Sequence, residues 1–92
     1  MTLYDTLINW LQLWLVVESR PHDEAAKQSM EHVADILNQN YQVSIVEVVK
    51  DSSRYQVKYT KNGVDETQQF PQEAAEVLLS FINENPERYD FN

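Results

Sequence analysis

"RYQVKYTKNGVDETQQF", residues 54–70, alternates Tyr55, Val57 and Tyr59 with Gln56, Lys58 and Thr60 before it reaches Asn62–Gly63. A period of two puts the three large side chains on one face of a strand and the polar ones on the other. Asn-Gly is the strongest short hairpin signal a chain can carry, because a type I′ turn needs positive φ at both central positions. "VDETQQF" then returns as a polar strand, suited to a sheet edge. Upstream, "YQVSIVEVVK" (residues 41–50) alternates through Tyr41, Val43 and Ile45 and then places Val46, Val48 and Val49 on both faces. Such doubling predicts a central strand or a β-bulge. "DSS" at 51–53 supplies the looser turn between these strands, so three antiparallel strands follow one another as a meander.

Helices flank the meander. Before it, Pro21–Asn38 carries Ala26, Met30, Val33 and Leu37 at i, i+4, i+7 and i+11, a single apolar stripe. Asp23 and Glu24 fall in its first turn, where they complement the helix dipole. After it, "PQEAAEVLLSFI" from Pro71 predicts a third helix with Ala74, Val77, Leu78, Phe81 and Ile82 on its apolar face. The N-terminal stretch, Thr2–Ser19, is different. Asp5, Asn9 and Gln12 form one narrow polar stripe, and the apolar remainder covers roughly 220°, about twice what a surface helix needs. "LINWLQLWLVV" (residues 7–17) is too short to span a bilayer, which takes about 20 apolar residues.

The predicted fold is therefore α+β, in the order α-α-β-β-β-α, a three-stranded antiparallel meander with helices packed on one face. Residues 1–84 are expected to form a single compact domain. Residues 85–92 make a C-terminal tail whose Tyr89 and Phe91 are expected to dock back on it. Residues 23–82 alone resemble a double-stranded-RNA-binding domain in element order. That family holds phosphate with lysines at the start of its last helix, and these positions here read Pro71, Gln72, Glu73 and Glu76. The resemblance implies a shared topology, and the acids at those positions would repel phosphate.

Charge points the same way. The 15 acids and 7 bases give a net charge of −8, and the imbalance sits in the helical regions. Residues 1–40 hold six acids and two bases, residues 71–92 five and one, and residues 41–70 four of each. An acidic excess repels nucleic acid and anionic lipid, so direct binding of either is not expected. The absence of cysteine excludes disulfides and thiolate chemistry and suits a cytoplasmic location. The acid-bearing start, "MTLYDTLINW", lacks the features of a signal peptide.

No catalytic or cofactor signature is present. His22 and His32 are ten residues apart, about 15 Å along a helix, and cannot share a metal. His32 and Asp35 could orient one another, yet no third member is evident. The serines lie outside any nucleophile elbow, and the single glycine belongs to the hairpin. Neither metal nor cofactor is expected, and the chain reads as no enzyme.

Two binding readings follow. In the first, the surplus arc of the N-terminal helix (Leu7, Trp10, Leu11, Trp14 and Leu15) is an interface, either with a protein partner or with a second copy in a homodimer. In the second, Asp23, Glu24, Glu31, Asp35, Glu73 and Glu76 form an acidic face. An inhibitor, antitoxin or immunity-type protein would use such a face to bind a basic partner as a nucleic-acid mimic.

Overall fold

In a computed structural model that describes residues 2–84, Asn62 and Gly63 take φ of 53° and 80°, as the type I′ turn requires. They join β2 (Arg54–Lys61) to β3 (Val64–Pro71), and β1 (Val43–Lys50) pairs with β2 on its other side. The sheet order β1-β2-β3 is the predicted antiparallel meander, with β2 in the centre. The doubled valines are resolved as a bulge on an edge strand. Ile45 opposes Tyr59 and Glu47 opposes Lys58, so Val46 is skipped and stands exposed. Beyond the bulge the parity flips, and Val48 faces inward opposite Val57.

Among the described residues, four helices pack on one side of the sheet. α1 (Leu3–Ser19) begins at a capping box, in which Asp5 N–H donates to Thr2 Oγ1 at 3.1 Å and Thr2 N–H to Asp5 Oδ2 at 3.4 Å. α2 (Glu24–Tyr41) starts three residues later than proline placement suggests. Asp23 caps it by accepting from Ala26 N–H at 3.0 Å, and Arg20 pairs with the same carboxylate. It runs on to a left-handed Gln42, whose N–H closes on the carbonyls of Asn38 and Leu37. The predicted last helix is broken at Glu76 into α3 (Gln72–Ala75) and α4 (Val77–Glu84). The division lets Ala75 and Ile82 both reach the interior.

The core corrects the expected role of α1. From Thr6 to Val17 none of its residues is exposed. Leu7, Trp10, Leu11 and Leu15 are buried, and Trp14 is half-buried against Trp10 with ring centroids 6.4 Å apart. The reason is the number of neighbours. α1 packs on α2, α3 and α4, and its side chains join Tyr55, Val57, Tyr59 and Phe70 from the sheet in one cluster. A second cluster at its C-terminal end gathers Val16, Ala26 and Ile82 from three helices. Even the polar stripe is used, since Gln12 Nε2 donates to the Ala74 carbonyl at 3.1 Å. Thr6, the one buried polar or charged residue apart from the tyrosines among the described residues, satisfies its hydroxyl on the Thr2 carbonyl at 2.9 Å. The wide apolar arc is the signature of a central helix, so no docking face made of Leu7, Trp10, Leu11, Trp14 and Leu15 is left over. Among the described residues no helix is long and apolar enough to cross a membrane. The expected docking of the tail falls on residues 85–92, outside the described residues.

Candidate docking groove

An open groove of about 820 Å³ runs along the outer side of α3 and α4, where Ser53 of the first turn and Pro71 of β3 meet Glu73, Glu76, Val77 and Phe81. Gln72, Ser80 and Glu84 complete its lining. The helix places Val77 and Phe81 one turn apart on the same face, with 59% and 45% of their surfaces exposed. These are the only large apolar side chains of α3 and α4 among the exposed ones. Among the described residues, all the charged side chains lining the groove are carboxylates.

Glu76 has a structural task at the groove floor. The Tyr55 hydroxyl donates to its Oε2 at 2.6 Å, and Gln72 Nε2 donates to Oε1 at 3.4 Å. The bond ties the α3–α4 break to the central strand. Burial first, then the bond and the charge of Glu76, push the Tyr55 hydroxyl up to about 12. The donated bond holds the Glu76 carboxyl below its ordinary value; Gln72 and the Lys50 charge act in the same direction, against burial. Tyr59 is also raised, by burial and then by the charge of Glu66.

Tyr55→Phe is expected to cost about 1.5–3 kcal/mol in urea unfolding at pH 7, the range for a hydrogen bond to a charged group. The pH dependence has a definite sign. Glu76, with a lowered folded-state value, stabilises fully above the ordinary 4.5 and loses that contribution as pH falls through the lowered value. Tyr55 stabilises fully below 10 and loses its contribution as pH rises from there towards about 12. The gap between wild type and Tyr55→Phe should thus be widest near neutrality and close at both ends. A gap that stays constant across the range would contradict the assignment.

The six acids of the expected acidic face do not come together. α2 lies against β1, whereas α3 packs on β2 and β3. Asp23 is the α2 cap, Glu24 pairs with Lys27 at 3.6 Å, and Glu76 is bound by Tyr55. Glu31, Asp35 and Glu73 are exposed, the first two on α2 and the third in the groove. Sequence reasoning missed Val77 and Phe81 as surface residues, since their spacing is equally that of a core stripe. It also missed Glu84 as a groove residue. His32 lines a shallow depression of about 560 Å³ between α1 and α2 with Asn9, Leu13, Ser29 and Val33. Asp35 is not part of that lining, and among the described residues no group of three His, Asp or Glu could hold a metal.

Compared with known proteins, the chain matches no family model, no curated protein and no solved structure. The functional reading therefore rests on the geometry of the groove itself.

Proposed function

We propose that the protein is a non-catalytic binding protein whose α3–α4 groove docks a basic, partly apolar segment of a partner protein. The observation that carries this reading is exposed Val77 beside a groove lining whose charged members, among the described residues, are Glu73, Glu76 and Glu84. Apolar anchors supply affinity in such a groove, and surrounding carboxylates select cationic partners and steer their approach. The charge of the last region, five acids against one base, reinforces that selection. An inhibitor or antitoxin that covers the basic site of a nucleic-acid-binding protein would act through the same chemistry.

A synthetic amphipathic peptide of lysine and leucine tests the reading by titration, followed on backbone amide resonances. The shifts are expected to cluster at Glu73, Val77, Ser80, Phe81 and Glu84. Affinity is expected to fall about tenfold between low and moderately high salt. Glu73→Lys with Glu84→Lys should abolish binding, while Glu31→Lys with Asp35→Lys, the same charge change on α2, should retain it. Equal losses in the two double variants would reduce the groove to general acidity and overturn the proposal.

A further inference from the structure

β3 is an edge of unusual regularity. Its eight residues pair with β2 without a shift, from Lys61↔Val64 to Arg54↔Pro71, whereas β1 carries a bulge at the other edge. Bulges, charged side chains (lysine above all) and mid-strand prolines are the usual protections of a sheet edge; β3 has no bulge, lysine or proline before Pro71, and its charges are Asp65 and Glu66. Val64, Asp65, Glu66, Thr67 and Gln69 are exposed.

The two-residue turn sets which backbone groups face outward. Lys61 and Val64 close the hairpin as a hydrogen-bonded pair, and the pattern alternates from there. Val64, Glu66, Gln68 and Phe70 bond to β2, while Asp65, Thr67 and Gln69 turn their N–H and C=O groups away from β2, to the edge on which no other described strand pairs. Two observations agree with this parity. Pro71, which has no N–H, falls at an outward position, and Gln72 N–H continues the inward series by donating to the Ser53 carbonyl at 3.1 Å.

We infer that β3 pairs antiparallel with β3 of a second copy, centred on Thr67, making one six-stranded sheet with all helices on the same face. The self-complementarity of the strand selects both occupant and register. Centred on Thr67, Asp65 opposes Gln69 of the second copy, Glu66 opposes Gln68, and threonine opposes threonine. Each acid thus meets an amide donor. Arg54 Nη1 already donates to Gln69 Oε1 at 2.6 Å, leaving the amide nitrogen to donate to Asp65 across the axis. Centring one residue earlier sets Glu66 against Glu66. Centring one residue later sets Glu66 against Phe70 and Asp65 against Pro71, which lacks a donor.

The same register accounts for two exposed apolar residues. Val64, 58% exposed, comes opposite Phe70 of the second copy, where Tyr4, 44% exposed, packs with its ring tilted 49° and centroids 5.0 Å apart. In the single chain, Gln68 Nε2 covers the Gln69 carbonyl at 3.2 Å, and in the pair the Asp65 N–H of the second copy takes that place. The association is independent of the groove on α3 and α4, and its salt dependence has the opposite sign. Two chains of charge −8 repel, so added salt favours the dimer.

Sedimentation equilibrium of the full chain, from about 10 µM to about 1 mM, tests the inference through opposite charges at one position. Gln68→Glu sets carboxylate against carboxylate in two equivalent pairs and should weaken the dimer about tenfold, and Gln68→Lys should tighten it severalfold. Any shared effect on folding would move both variants in one direction. Thr67→Pro removes an outward donor without touching the β2 ladder and should leave a monomer. A wild type that is monomeric at every concentration, or a dimer indifferent to the charge at position 68, would overturn the inference. Neither result would bear on peptide binding in the groove.

Discussion

Trp10→Asp is expected to unfold the domain at 25 °C, while Trp14→Ala leaves it folded and weaker by about 1–3 kcal/mol. Trp10 is 7% exposed within the cluster that joins α1, α2 and the sheet. Loss of its packing costs about 3–5 kcal/mol, and an unpaired carboxylate in the same place adds several more. At 0.05–0.15 kcal/mol per residue, a domain of 92 residues has roughly 5–14 kcal/mol in total. The substitution takes most or all of that. Far-UV circular dichroism and the emission of the remaining tryptophan decide the matter. A folded Trp10→Asp protein would mean that α1 does not occupy the centre of the core.

That expectation turns on what could be read from α1 alone. Its apolar arc was legible from spacing, and so was its excess over the needs of a surface helix. The number of its neighbours was not. A single continuous last helix, with its stripe turned to the core, leaves one side of α1 uncovered. The break at Glu76 changes this, because α3 and α4 each place residues against α1. Nothing local announces the break. It coincides with a hydrogen bond between Tyr55 and Glu76, 21 residues apart, and long-range polar pairing leaves no periodic trace.

The sheet was more legible because its signals are local. Asn62–Gly63 sets a turn, the turn sets the register, and period-two alternation sets the buried face of β2. The bulge was visible as a doubled valine pattern, but its place on an edge strand was not. Candidate sites fared worst. Carboxylates of two separate helical regions were read as one acidic face, yet Asp23 and Glu76 are absorbed by a cap and a cross-element bond. Val77 and Phe81 carry the spacing of core residues, and only the path of α4 past the core reveals them as surface.

Phe70→Ala is the second severe change, with an expected loss of about 3–5 kcal/mol. Phe70 is fully buried, the largest side chain to be so among the described residues, and stands opposite Tyr55 on the inner face of the sheet. The other inward positions of β3 are Val64, Glu66 and Gln68, of which none is buried. One ring therefore holds this strand to the helices, and Tyr4 at the start of α1 packs on it. The loss should consequently be uneven. Amide exchange in Phe70→Ala is expected to quicken most at Glu66, Gln68 and residue 70, whose N–H groups bond to β2, and least on the opposite edge in β1. Val46→Ala supplies the contrast, since its side chain stands exposed at the bulge and its removal should cost under about 0.5 kcal/mol. If exchange instead rose equally in β1 and β3, the sheet would open as one cooperative unit, and β3 would owe its place to the ladder more than to Phe70.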